Sequence, residues 1–312
     1  MNAFLFPGQG CQKEGMGKDL YMNFPKAKAI FEQANDVLGE RFSDILFSAN
    51  EAVLMDTRYT QPAIFIYEVA LALSQNELKP DCVAGHSLGE YAALVVAGVL
   101  SFEEALRFIK IRGQVFYEAF EKHPSAMGAV IGVPDEKVLE VLKRVGDEDG
   151  ENLYIANYNG PGQLVITGDR GSIRKACKVL KDMGAKRAML LPMKGVGHSP
   201  NSAKEGERLA SELKKMNFSD ATIPVYQDVD GEPHVKAEEI LDNQIKLMTC
   251  PVQWTKLINR MSENGVNEFY EVGTDDTLQK IVKRMKPDSI VTSLIYISFY
   301  EGKIKDYSLL KE

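Results

Sequence analysis

Cys82-Val83-Ala84-Gly85-His86-Ser87-Leu88-Gly89-Glu90 is the stretch that decides the fold of this 312-residue chain. Its first four residues form a short apolar run, as a central, doubly covered strand does. From Glu90 to Val99 the residues are apolar nearly all round, which predicts a buried helix. Between the two lies Gly85-x-Ser87-x-Gly89, a G-x-S-x-G pattern in the strand–turn–helix context it requires. The glycines two before and two after the serine avoid side-chain clashes as the chain reverses. The serine is left exposed at the strand's end beside a helix N-terminus, where backbone N–H groups can hold a developing oxyanion. A bare pentapeptide would read as an ordinary glycine-flanked turn; the flanking strand and helix favour a nucleophile.

Outward from this turn, strand-like and helix-like segments alternate, which predicts an α/β protein with a mostly parallel sheet. Asn2–Phe6 reads as the first strand, followed by the turn Pro7-Gly8-Gln9-Gly10. Helices are expected near Pro25–Leu38 and Ala63–Asn76. Ser101 and Glu104 make an S-x-x-E capping box, so another helix starts at Phe102. The segment 127–194 has a different rhythm. Strands at Met127–Val133, Leu153–Asn157, Gln163–Gly168 and Arg187–Leu191 alternate with helices at Asp135–Val145 and Ser172–Met183. That β-α-β-β-α-β order is ferredoxin-like. A unit of this size in mid-chain is an insertion, dividing the chain into 1–126, the insertion 127–194, and 195–312.

A serine nucleophile needs a base, and only four histidines are available. His86 adjoins Ser87 and points elsewhere on a tight turn. His123 lies in a polar turn, and His234 in what reads as an exposed loop. His198, in Gly195-Val196-Gly197-His198-Ser199-Pro200, follows an apolar strand, where α/β proteins build their sites. It is the best candidate, with a plain surface-loop histidine as the alternative. Arg112 falls on the helix face shared by Ala105, Ile109 and Phe116. A guanidinium on an apolar face is a clamp for an anionic ligand, half of an internal ion pair, or a side chain snorkelling to the rim. Gly8-Gln9-Gly10 lacks the third glycine of a dinucleotide fingerprint, because Lys13 stands there, and no Walker A sequence occurs.

Composition excludes other classes. With 45% hydrophobic residues the chain can form a sizeable core. Thirty-seven basic against 44 acidic residues leave a net charge of −7, which disfavours bulk nucleic-acid binding. The longest apolar runs fall well short of the roughly 20 residues that span a bilayer, so no membrane association is expected. The start lacks the pattern of a secretion signal. Cys11, Cys82, Cys177 and Cys250 form no CxxC, so neither a disulfide framework nor a metal site is indicated, and a cytoplasmic protein is expected.

These residues together resemble the malonyl-CoA:acyl-carrier-protein transacylase family, including acyltransferases that serve polyketide synthases. The resemblance runs in order through Phe6-Pro7-Gly8-Gln9-Gly10-Cys11-Gln12, Thr60-Gln61-Pro62-Ala63, Gly85-His86-Ser87-Leu88-Gly89-Glu90 and Arg112-Gly113. It continues with Asn157-Tyr158-Asn159-Gly160-Pro161-Gly162-Gln163, His198-Ser199-Pro200, Pro251-Val252-Gln253-Trp254 and Glu271-Val272-Gly273. It implies an α/β-hydrolase-like large domain with a ferredoxin-like small subdomain. It implies ping-pong transfer through an acyl-Ser87, with His198 as base and an oxyanion hole from Gln9 and the Leu88 N–H. Arg112 would pair with the free carboxylate of malonyl, and Gln61 and Asn159 would contact substrate. The implied partners are malonyl-CoA, a coenzyme A thioester, and a phosphopantetheinylated acyl carrier protein. No bound cofactor is implied, and a monomer is expected. An acyl hydrolase on the same scaffold is the alternative. Lys175, Lys178, Lys181, Lys186 and Arg187 are candidates for a basic surface toward anionic partners, though a solvated helix face explains such a run more simply.

The chain departs from the family pattern in four places. Cys11 stands where members usually have serine. Val196-Gly197 replace a Pro-Phe-like pair. Thr274-Asp275 replace Pro-Gly. Leu247 occupies a position where many members carry glutamine near the histidine. That leaves a backbone carbonyl, or Gln244 one turn earlier, to orient His198.

Overall fold

The computed structural model describes residues 1–75, 78–122, 125–192 and 197–294. Strand β1 (Asn2–Phe6) is followed by helices α1 (Lys18–Asn23), α2 (Pro25–Leu38), α3 (Phe42–Ser48), α4 (Glu51–Leu54) and α5 (Thr57–Leu73). Strand β2 (Cys82–Gly85) then leads into α6 (Gly89–Val96) and α7 (Phe102–Lys122). The next six elements are β3 (Ser125–Ile131), α8 (Asp135–Asp149), β4 (Tyr154–Gly160), β5 (Gln163–Asp169), α9 (Arg170–Asp182) and β6 (Arg187–Leu190). The remainder contributes α10 (Ala203–Leu213), β7 (Val225–Tyr226), β8 (Pro233–His234), α11 (Ala237–Lys246) and α12 (Trp254–Glu263). It ends with β9 (Glu268–Glu271), α13 (Thr277–Met285) and β10 (Ile290–Ser293).

The large sheet has the order β10-β9-β1-β2-β7-β8, and every pairing is parallel except the β7–β8 hairpin. Alternation along β1 explains how both faces are covered. Phe4 and Phe6 enter one core with Ile64 of α5 and Leu106 of α7. Ala3 and Leu5 enter the other with Trp254 of α12 and Ile281 of α13. Ala3 to Phe6 therefore lose water on one side or the other, which is why these four residues are a continuous apolar run. No helix among the described residues is long and apolar enough to cross a membrane.

The second sheet has the order β4-β5-β3-β6 and is antiparallel. In chain order of its own strands this is 2-3-1-4, the ferredoxin-like arrangement expected. It has its own core, formed by residues such as Val130, Leu142, Ile166 and Leu180. Strand β4 is stitched to the main body: Val252 N–H donates to the Ala156 carbonyl and Tyr158 N–H to the Val252 carbonyl, both at 2.9 Å. Thr255 Oγ1 donates to the Tyr158 carbonyl at 2.9 Å.

Several boundaries differ from expectation for local reasons. Helix α5 begins six residues early because Asp56 caps it, accepting from Arg58 N–H at 2.9 Å. Helix α6 stops at Val96 because Gly98 turns left-handed, at φ 75°. Strand β3 ends before Gly132, at φ 87°. The α7 start is as the capping box predicts: Glu104 N–H donates to Ser101 Oγ at 3.2 Å. His123 and residues 193–196, which include Gly195 and Val196, lie outside the described residues.

Candidate active site

Strand β2 ends at Gly85, and α6 begins four residues later. A Cβ on Gly85 would lie 2.1 Å from the Glu90 nitrogen, and one on Gly89 would lie 2.2 Å from the Phe6 carbonyl oxygen. Neither glycine has a positive φ; both are required by the close approach of backbone. The left-handed residue is Ser87 itself, at φ 56°. That conformation costs a non-glycine residue about 1 kcal/mol or more. It turns Oγ out of the strand end and into a cleft of about 350 Å³ that runs between the two sheets.

His198 meets it there. Its Nε2 is 2.7 Å from Ser87 Oγ, and its Nδ1 is 3.0 Å from the Leu247 carbonyl oxygen. A carbonyl only accepts, so Nδ1 carries the proton and Nε2 offers its lone pair to the serine hydroxyl. Burial, reinforced by the nearby Arg112 and His86, pulls the His198 pKa down to about 3. The imidazole is therefore neutral and in the tautomer a base requires. His198 is also left-handed, at φ 58°. The Leu247 carbonyl orients it, and the expectation for Gln244 needs correcting. Gln244 lies on the face of α11 turned toward Glu90 and donates to Oε1 of that residue instead.

Arg112 is 2% exposed, in the apolar row of α7 that the spacing predicted. Its Nη1 donates to Gln61 Oε1 at 2.8 Å and its Nη2 to Ser87 Oγ at 3.3 Å. The guanidinium carbon lies 4.3 Å from the Phe116 ring centre. Among the described residues no carboxylate pairs with it, so neither the internal ion pair nor the snorkelling alternative describes it. Gly113 makes this placement achievable, because a Cβ there would lie 2.6 Å from the Thr57 carbonyl oxygen. Helices α5 and α7 can thus approach closely enough for Arg112 to reach Gln61.

The remaining predicted residues gather around the same cleft. Gln9 and Leu88 line it, and no protein group among the described residues accepts from either backbone N–H. Asn159 lines it too, but its Oδ1 takes a hydrogen bond from His86 Nε2 at 2.8 Å. Gly273 packs loop 271–273 against Pro7, where a Cβ would lie 2.5 Å from the ring. Thr274 hydroxyl donates to the Cys11 carbonyl, which ties the departing Thr274-Asp275 pair to the Gln9 loop. Arg187 reaches the cleft wall, whereas Lys175 is paired with Glu148 and Asp149 at 2.8 Å each. His234 is not in an exposed loop: it is the second residue of β8, half-buried and bonded to Asp230 at 2.9 Å. Among the described residues no group of three or more His, Cys, Asp or Glu is placed to hold a metal ion.

Asp228 was not legible in the sequence. It follows the two-residue strand β7, is fully buried, and its Oδ2 accepts the Ser87 N–H at 2.5 Å. No motif or spacing announces it, because its contact arises from sheet order.

A serine on a strand–turn–helix elbow, paired with a neutral imidazole and overlooked by unpartnered backbone N–H groups, defines the class of serine-dependent acyl-group transferring and cleaving proteins. The acyl transferase domain family model matches residues 3–293, and the chain belongs to that family, as one of its malonyl-CoA:acyl-carrier-protein transacylases. A malonyl CoA-acyl carrier protein transacylase of Staphylococcus aureus is 36% identical over 300 residues, covering 96% of this chain and 97% of the relative. The solved malonyl CoA-acyl carrier protein transacylase of Coxiella burnetii superposes with a TM-score of 0.91 at 34% identity, covering 97% of this chain and 96% of that one. A malonyl-transacylase solved in complex with its type II polyketide synthase acyl-carrier protein superposes with a TM-score of 0.88 at 33% identity, covering 94% of each chain.

Proposed function

We propose that the protein transfers a malonyl group from coenzyme A to the phosphopantetheine thiol of an acyl carrier protein, through an acyl ester on Ser87. The observation that carries this is Arg112: a buried guanidinium with no carboxylate partner among the described residues, 3.3 Å from the hydroxyl that would bear the acyl group. A carboxyacyl chain on Ser87 brings the missing anion within reach. An uncharged acyl group leaves the cation buried and unpaired, so the site rejects it.

In the first half-reaction Ser87 Oγ attacks the thioester carbon while His198 Nε2 takes its proton. The Gln9 and Leu88 N–H groups hold the oxyanion, and the imidazolium then protonates the departing coenzyme A sulfur. In the second, the carrier thiol attacks the acyl-serine, His198 takes the thiol proton and returns it to Oγ. Gln61 braces Arg112, and Asn159 holds His86 away from Ser87. The small subdomain, from β3 to β6, starts at Ser125, two residues before the expected boundary, and closes the cleft, while the elements before and after it form the large domain. The setting is fatty-acid or polyketide assembly in the cytoplasm. Hydrolysis is disfavoured, because a water-accepting enzyme has no use for a carboxylate clamp that retains the acyl group.

Intact mass measurement after incubation with malonyl-CoA tests this. The wild type should gain one malonyl group and lose it to added carrier protein, while Ser87→Ala gains none. Absence of the adduct, or its loss to water as fast as to carrier, would overturn the proposal.

A further inference from the structure

Behind the elbow lies a buried polar group that the acyl-transfer steps do not use. Asp228 Oδ2 accepts the Ser87 N–H at 2.5 Å. Glu90, on the first turn of α6, accepts the Asp228 N–H through Oε2 at 3.1 Å and the Gln227 amide through Oε1 at 2.8 Å. Gln244 donates to the same Oε1. Both carboxyls are buried, Glu90 at 1% and Asp228 at 0% exposure. The other Asp228 oxygen, Oδ1, is buried and receives no hydrogen bond.

We propose that Asp228 is a positioning residue for Ser87: as a neutral carboxyl it accepts the Ser87 N–H through Oδ2 and donates from Oδ1 to Glu90, locking the left-handed elbow. This rests on the transacylase reading only for its assay. Two facts support the neutral form. An oxygen that receives no hydrogen bond is satisfied if it carries a proton and donates. Burial and the adjacent Glu90 charge both push the Asp228 pKa well above the usual carboxylate range. The lock has a definite effect. With its N–H held at the back, Ser87 cannot relax to a negative φ without breaking a buried bond. Oγ therefore stays 2.7 Å from His198 Nε2.

Asparagine is the natural discriminator. Its Oδ1 accepts the Ser87 N–H and its Nδ2 donates to Glu90, so both bonds of the neutral carboxyl survive. The experiment compares wild type, Asp228→Asn and Asp228→Ala, by single-turnover Ser87 acylation and by steady-state transfer. The Asn variant should acylate within about 3-fold of wild type. The Ala variant should lose roughly 10- to 100-fold in kcat, the scale of a misplaced reacting group, with KM for malonyl-CoA within about 2-fold. Three results would overturn the proposal: an Ala variant that acylates at the wild-type rate, an Asn variant as slow as Ala, or a loss confined to KM. If Ala fails to fold, the Asn variant and Asp228→Ser, which keeps neither bond fully, decide between the same outcomes. An unreactive wild type would instead count against the transacylase reading.

Discussion

Arg112 concentrates the chemistry of the site in one side chain. It lost its water on folding and, among the described residues, gained the Gln61 amide, the Ser87 hydroxyl and the rings of Phe116 and Tyr91, none of them a carboxylate. Burial accordingly lowers its pKa from the ordinary arginine value. Replacing it with alanine should weaken malonyl-CoA use by about 2–4 kcal/mol in transition-state stabilisation and shift the preference toward acetyl-CoA, since no buried cation is then left unpaired. Competition assays with the two thioesters measure this, and unchanged discrimination would refute the clamp. His198 yields a prediction in pH. Its folded pKa of about 3 lies below the ordinary 6.5, so falling pH does not protonate the base until far into acid. Single-turnover acylation should therefore stay flat from pH 8 down to pH 5. A decline centred near 6.5 would mean that the imidazole titrates as an exposed histidine does.

At the scale of elements, the β2–α6 elbow is a backbone-packing problem solved by two glycines. The Gly89 Cβ position faces the Phe6 and Pro7 carbonyl oxygens at 2.2 and 2.5 Å, and these belong to the strand end beside it. Neither can yield without moving β1. Gly89→Ala should cost at least about 3 kcal/mol, visible as a lower urea midpoint. An unchanged midpoint would contradict this account of the pattern. The same reasoning separates Ser87 and His198 from the glycines around them. Both are left-handed without being glycine, so their strain is held by tertiary bonds, the Asp228 contact for one and the Leu247 carbonyl for the other.

Across the whole molecule, three cores divide the labour. Two lie on opposite faces of the large sheet, and the third is enclosed by the small sheet and helices α8 and α9. The third core draws its buried residues from 126–188 alone. Residues 125–192 expressed by themselves should unfold cooperatively, read by circular dichroism on heating. A gradual, non-cooperative transition would mean that the subdomain depends on the Val252 stitch. That stitch ties β4 to the start of α12.

Local pattern was enough for some of the elements. The limits of β1, β2 and α2, the capping box at Ser101 and the succession of strands and helices in the small subdomain could all be read from periodicity and turn residues. Each depends on neighbours a few positions away. The nucleophile was legible for the same reason, since the elbow is a local structure. The partners of Ser87 were legible only in part. His198 and Arg112 stood out by elimination and by helix face, and the family resemblance gave them roles. Their geometry was not, because Ser87, Arg112 and His198 meet from β2, α7 and a loop more than a hundred residues along. Gln244 shows the limit most clearly. One turn from Leu247 in sequence, it lies on the side of α11 that faces Glu90, a direction that helix packing chose. Asp228 carried no signal in its own segment, and only the pairing of β2 with β7 places it behind the serine. The sequence by itself determined the first strand, the elbow that presents Ser87 and the chain order of the small subdomain. The tertiary structure decided what orients the base, what leaves Arg112 without an anion and what holds the elbow, since burial and hydrogen bonding between distant segments exist only once the sheet is assembled.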